Sequence, residues 1–170
     1  MTVKVLNHPL INVLMTNLRS KETSSFEFRY SAKKISSLMA YEIFKDLKIK
    51  RKKIDTPLDN FSGAKVQDPK PCVISILRAG LIISDGITDI FEDVSIGHIG
   101  MYRDEKTLTP VNYLIKLPSN LQNRQCFLCD PMLATGGSAI SSLETLKQNN
   151  ASDITLICLL ASEEGIKNVK

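Results

Sequence analysis

Nine consecutive residues hold the chemistry that stands out in this chain: Asp130, Pro131, Met132, Leu133, Ala134, Thr135, Gly136, Gly137 and Ser138. A phosphate is held by several backbone N–H groups aimed at one point, and small residues let that backbone come close. Thr135 to Ser138 are of those types, and two of them add hydroxyl donors. The apolar run Gln125-Cys126-Phe127-Leu128-Cys129 ahead of them reads as a buried strand, and Ala139, Ile140, Leu143 and Leu146 behind them mark a helix. The small residues therefore fall at a helix amino terminus, where the dipole favours an anion. Asp130 closes the strand, where a carboxylate can accept hydrogen bonds from the vicinal hydroxyls of a ribose. Strand, acid and glycine-rich turn in this order are the arrangement of a phosphoribosyl site. The plainer reading is a glycine-rich connection with no ligand. A Walker loop is excluded, because no Gly-Lys-Ser/Thr follows.

A second turn, Leu77-Arg78-Ala79-Gly80, follows the apolar run Cys72 to Leu77. It sets a permanently charged, bidentate donor beside exposed backbone at a strand end, an arrangement suited to a pyrophosphate. The plainer reading here is a surface arginine next to a helix-start glycine.

The elements that must position these turns alternate. Leu10, Val13, Leu14 and Leu18 share one helical face, with Pro9 in the first turn. A longer helix is predicted over Ser25 to Leu47, with Ile35, Leu38, Met39 and Ile43 as its apolar stripe. Residues 54–67 read as a hairpin-like arm. Strands follow at 72–77, 94–100, 111–117, 126–129 and 154–160, with helices after the first and fourth and a polar loop at 103–110. Apolar strands bounded by helices predict an α/β fold with a mostly parallel sheet covered on both faces.

Several chemistries are set aside. Cys126 and Cys129 have metal-site spacing, but residues three apart on a strand face opposite ways. His98, between Gly97 and Ile99 in a strand, reads as structural, as does His8 before Pro9. The net charge of +4 is mild, and its densest cluster, Lys48 to Lys53, reads as a helix carboxyl end rather than a nucleic-acid surface. No apolar stretch is long enough for a bilayer, and Met1 to Leu6 lacks a signal peptide's apolar segment, so the chain is expected to be cytoplasmic. At 170 residues one domain is expected.

These residues also carry a resemblance. Ile76-Leu77-Arg78-Ala79-Gly80-Leu81, Gly97 to Asp104, Lys116-Leu117-Pro118 and Asp130 to Ser138 come in the order and spacing of the uracil phosphoribosyltransferases. His8-Pro9-Leu10, Tyr41-Glu42 and Glu164-Gly165-Ile166 do as well. The resemblance implies a type I phosphoribosyltransferase-like fold with an N-terminal helical segment and a hairpin arm. It implies transfer of ribose 5-phosphate from phosphoribosyl diphosphate to uracil, giving UMP and diphosphate. Arg78 and Arg103 would bind the diphosphate, and Asp130 through Ser138 the ribose and 5-phosphate. It also implies Mg²⁺, GTP activation, a homodimer or higher homo-oligomer, and a non-proline cis peptide at Leu77–Arg78 or Arg78–Ala79. Pro131 stands where related transferases carry a second acid, so Mg²⁺ is expected to come with the substrate's oxygens and without direct protein ligands. No general acid or base is assigned.

The sequence departs from that pattern at its end. The family's base-enclosing segment, with a Gly-Leu-Gly-Asp-Ala-Gly-Asp stretch, is not within residues 1–170, and no uracil-binding residue is identified there. The expectation is a domain truncated at its carboxyl end. Two other readings stand beside the enzyme: a non-catalytic protein that binds phosphoribosyl diphosphate, and a transferase for another base.

Overall fold

The computed structural model describes residues 2–103 and 110–170, the side chains of Arg103 and Pro110 excepted. Helix α1 (Pro9–Arg19) starts with proline at its first position and with His8 as its cap, the ring Nδ1 accepting from the Leu10 N–H at 3.2 Å. Its packed face is Ile11, Leu14, Met15 and Leu18, whereas Leu10 and Val13 are exposed. The predicted stripe was thus rotated from the real one, because Ile11 and Met15 fit the same period. Helix α2 (Ser25–Ile43) opens on a full capping box between Ser24 and Glu27 and buries Ala32, Ile35, Ser36 and Ala40. It ends four residues earlier than predicted, in a tight turn at Phe44–Asp46.

The basic cluster is a strand, not a helix end. Strand β1 (Ile49–Asp55) pairs antiparallel with β2 (Asn60–Val66), from Ile49 opposite Val66 to Asp55 opposite Asn60. Seven paired residues a side outweigh the modest attraction of cations for a helix terminus. The arm therefore begins five residues before its predicted start.

Strand β3 (Cys72–Leu77) leads into α3 (Leu81–Thr88), β4 (Ser95–Arg103) and β5 (Pro110–Lys116). Strand β6 (Gln125–Cys129), a two-residue β7 (Met132–Leu133) and α4 (Gly137–Gln148) come next. Strand β8 (Asp153–Ile157), the short β9 (Leu160–Ala161) and α5 (Glu163–Val169) complete the chain. The main sheet has the order β5-β4-β3-β6-β8, parallel except for the edge strand β5. The predicted α/β class and mostly parallel sheet hold, while the final predicted strand, 154–160, splits into β8 and β9.

Alternation along the central strands feeds two cores. Cys72, Ile74, Ile76, Cys126 and Leu128 pack on one face with Leu146 of α4. Val73, Phe127, Cys129 and Ile157 pack on the other with Ile83 and Ile87 of α3 and Ala40 of α2. Cys126 and Cys129 thus lie in different cores, as strand geometry requires. No helix among the described residues is long and apolar enough to cross a membrane.

Helix α3 is drawn onto α2 by Gly86. A Cβ there would stand 2.5 Å from the Lys33 carbonyl and from Ser36 Cβ, and Ser37 Oγ donates to the Gly86 carbonyl at 2.8 Å. Gly86→Ala is expected to cost about 1–3 kcal/mol, the scale of overpacking. Gly63→Ala, whose nearest neighbour is 3.6 Å away in the exposed arm, should cost less. Equilibrium denaturation of the two variants checks the contrast.

Candidate active site

Chain direction defines the crevice. From β3 the chain moves outward to β4, and from β6 it moves the other way to β8. Ligands in open α/β sheets bind at the carboxyl ends of strands where the order reverses in this manner. Here that point lies between Leu77 and Cys129, and both turns singled out in the sequence begin there.

The first turn leaves β3 through a cis peptide at Leu77–Arg78, one of the two positions expected. Arg78 and Ala79 are exposed and Gly80 is buried. A Cβ on Gly80 would lie 2.3 Å from the Cys129 carbonyl and 2.7 Å from the Ile76 backbone. Glycine is thus what lets the Arg78 turn rest directly on the end of β6, one residue before Asp130.

The second turn is built as the sequence predicts. Asp130 follows the central parallel strand β6, and its N–H donates to the Ile157 carbonyl at 3.1 Å. Pro131 and Leu133 are buried, so their side chains hold the loop, while Ala134 and Thr135 are exposed. Gly136 caps α4 with φ +89°, the left-handed region that favours glycine. No side chain caps this helix, so the N–H groups of its first turn are left for a ligand. A Cβ on Gly137 would meet nothing within 4 Å. The backbone there faces open space, with the hydroxyls of Thr135 and Ser138 on either side of the glycine pair.

Sequence reasoning missed what stands behind this loop. Strand β7 pairs parallel with β9. Ser162 caps α5, donates from its N–H to the Leu133 carbonyl at 2.9 Å and hydrogen-bonds through Oγ to the Ala134 carbonyl. Asn168 Nδ2 donates to the Thr135 carbonyl at 3.0 Å. Gly165 is wedged under the loop, where a Cβ would lie 2.5 Å from the Ala134 carbonyl. The signal was Glu164-Gly165-Ile166, noted for its resemblance but not for its packing.

Burial raises the Asp130 carboxyl above its ordinary range, opposed by the hydrogen bond it accepts from the Met132 N–H. Burial likewise raises the Cys129 thiol, and pushes Cys158 up to about 12, so both stay protonated and poor as nucleophiles. His98 sits mid-strand opposite Ser75 and Lys116, away from the strand's end. Arg103 closes β4, but its side chain and residues 104–109, where a polar loop was expected, lie outside the described residues. Among the described residues no group of three His, Cys, Asp or Glu could chelate a metal.

An arginine turn and an acid-to-glycine loop meeting at this reversal define the phosphoribosyltransferase class of site. Comparison with known proteins narrows it. The family model for uracil phosphoribosyltransferase matches residues 5–170. A uracil phosphoribosyltransferase of Levilactobacillus brevis is 44% identical over 167 residues, covering 98% of this chain and 80% of the relative. That of Lactococcus lactis subsp. cremoris is 46% identical over 166 residues, covering 96% and 79%. Among solved structures, the AQ2163 protein from Aquifex aeolicus superposes with a TM-score of 0.88 at 29% identity, covering 96% of this chain and 78% of that one. A purine phosphoribosyltransferase from Pyrococcus horikoshii, at 16% identity, 79% and 76% coverage and a TM-score of 0.59, shares the fold. The chain belongs to the uracil phosphoribosyltransferase family.

The two adjacent glycines should respond differently. Gly137→Ala has room in the protein and should leave stability unchanged or slightly raised, because alanine is the better helix former by about 1 kcal/mol. Its methyl would occupy the space offered to an anion and weaken phosphate-ester binding. Gly136→Ala should instead lose roughly 1–2 kcal/mol of stability from its left-handed backbone. Thermal melts paired with titration by phosphoribosyl diphosphate separate the two effects.

Proposed function

We propose that this protein transfers ribose 5-phosphate from phosphoribosyl diphosphate to N1 of uracil, releasing UMP and diphosphate. The observation that carries the reading is the abutment of the Arg78 turn on the end of β6, beside Asp130 and the open turn at Gly137. In this assignment Arg78 and Arg103 bind the diphosphate. Asp130 accepts from the ribose hydroxyls, and the N–H groups and hydroxyls of residues 135–138 receive the 5-phosphate. Pro131, Met132, Leu133 and Ala134 carry the loop between them, with Met132 half-exposed toward the crevice.

The reaction breaks the bond from C1′ to the diphosphate oxygen and forms one from C1′ to N1 of the base. Positive charge grows on the sugar ring and negative charge on the departing diphosphate. Arginines fixed where that negative charge grows stabilise the transition state more than the ground state. Asp130 holds the ring by its hydroxyls while C1′ moves toward the base. Mg²⁺ would neutralise part of the charge on the diphosphate. Asp130 is the sole carboxylate in its loop, with Pro131 beside it, so the residues fit an ion carried by the substrate's own oxygens and water rather than one chelated by protein. No general base is assigned, and no uracil-binding residue is proposed within residues 1–170. A homodimer or higher homo-oligomer fits the exposed arm, since a lone two-stranded hairpin is marginal in water. GTP is proposed as activator on family grounds.

Calorimetry and UMP synthesis test the assignment. Arg78→Ala should weaken phosphoribosyl diphosphate binding by roughly 1.5–3 kcal/mol, the scale for a hydrogen bond to a charged group. Asp130→Asn should weaken it as well, yet stabilise the ligand-free protein at neutral pH. The sign follows from burial: the folded state binds the Asp130 proton more readily than the unfolded chain, so its cost is absent in acid and grows as pH rises. The melting advantage of the Asn variant should therefore increase between about pH 4 and about pH 7. An advantage independent of pH would show that the Asp130 carboxyl carries no burial cost, and a variant that binds the donor as tightly as the parent would remove Asp130 from the site.

A further inference from the structure

A cavity of about 620 Å³ opens between the amino-terminal half of α2 and the Arg78 turn. Its lining is mostly apolar and includes Pro131 and Met132, but four charged residues share it: Arg29, Lys33, Arg78 and Asp85. Arg29 and Lys33 are one helical turn apart, so α2 presents both to the same space. They are not equivalent. Lys33 is committed to Asp89, its Nζ 2.7 Å from the carboxylate. Arg29 is exposed and, among the described residues, forms no ion pair.

The backbone that carries Arg29 is held relative to Arg78. Helices α2 and α3 touch through Gly86, locked by the Ser37 hydroxyl, and α3 begins directly after the Arg78 turn. Two guanidinium groups brought to one cavity repel unless an anion lies between them, and a planar fork binds one phosphoryl group bidentately. A diphosphate offers two such groups. Asp85 opposes an anion here, but the two arginines outweigh it.

We propose that Arg29 binds the diphosphate of the donor substrate from α2, opposite Arg78 on the β3 turn. This rests on the phosphoribosyl reading of the site, and it adds a ligand from an element that neither strand end supplies. It also gives α2 a direct part in the reaction, because the group Arg29 holds is the leaving group.

The experiment is calorimetry on the protein and its Arg29→Ala, Arg29→Lys and Arg78→Ala variants, with phosphoribosyl diphosphate and with ribose 5-phosphate measured by competition, alongside thermal melts. Arg29→Ala should weaken the diphosphate ligand roughly 10- to 100-fold, the loss expected of one charge-assisted contact, while ribose 5-phosphate binding and melting temperature stay as in the parent. Arg29→Lys should recover part of the loss. Unchanged diphosphate binding by Arg29→Ala, or equal weakening of both ligands, would overturn the proposal. If Arg78→Ala loses affinity and Arg29→Ala does not, Arg29 alone is wrong; if the parent protein does not bind the diphosphate, the site reading itself falls.

Discussion

The site depends on one close approach, that of the Gly80 turn to the carbonyl of Cys129. Strands β3 and β6 are hydrogen-bonded neighbours, so their ends are already side by side. The turn that leaves β3 nevertheless has to fold flat over the end of β6, and the space is 2.3 Å to where a Cβ would be. Any other residue at position 80 lifts the turn and carries Arg78 away from Asp130. The charges that a diphosphate and a ribose would meet are therefore set by backbone packing between parallel strands, not by side-chain contacts with each other.

The second turn meets a different demand. A helix start that is to receive an anion must leave its N–H groups without protein partners, which removes the usual capping contribution of about 1 kcal/mol. The loop before α4 gains order from behind instead, through the β7–β9 pairing, Ser162, Asn168 and the wedge of Gly165. Contacts to its carbonyls fix the loop and leave the N–H groups at the start of α4 without a side-chain cap. Asp130 carries the same tension, buried enough that its carboxyl is raised, yet held where substrate hydroxyls could relieve it.

Much of this was legible in the sequence, and the parts that were not share a cause. The order of apolar runs predicted the sheet, because buried parallel strands leave a continuous hydrophobic trace. The acid and small-residue types of 130–138 predicted the strand end at Asp130 and the turn into α4, whereas the left-handed backbone at Gly136 was read only from the structure. What failed depended on partners distant in sequence. Lys48 to Lys53 suit a helix end locally and became β1 only by pairing with β2. The α1 stripe fitted two faces until α2 chose Ile11 and Met15. The α5 buttress works through backbone carbonyls of residues 133–135, and its one mark in the sequence, Glu164-Gly165-Ile166, does not by itself reveal which carbonyls it meets.

The same distinction separates the two halves of the proposed donor site. Arg78 could be suspected from sequence because it belongs to a strand–turn–helix unit with a recognisable glycine. Arg29 lies in the middle of a long amphipathic pattern, where an exposed arginine is the commonest of features. Only the contact of α2 with α3 at Gly86, and the cavity that this contact leaves beside the Arg78 turn, turns a surface residue into part of a crevice. Helix α2 lies outside the sheet yet lines the same cavity as the Arg78 turn, so it is placed to supply a charge that neither strand end carries.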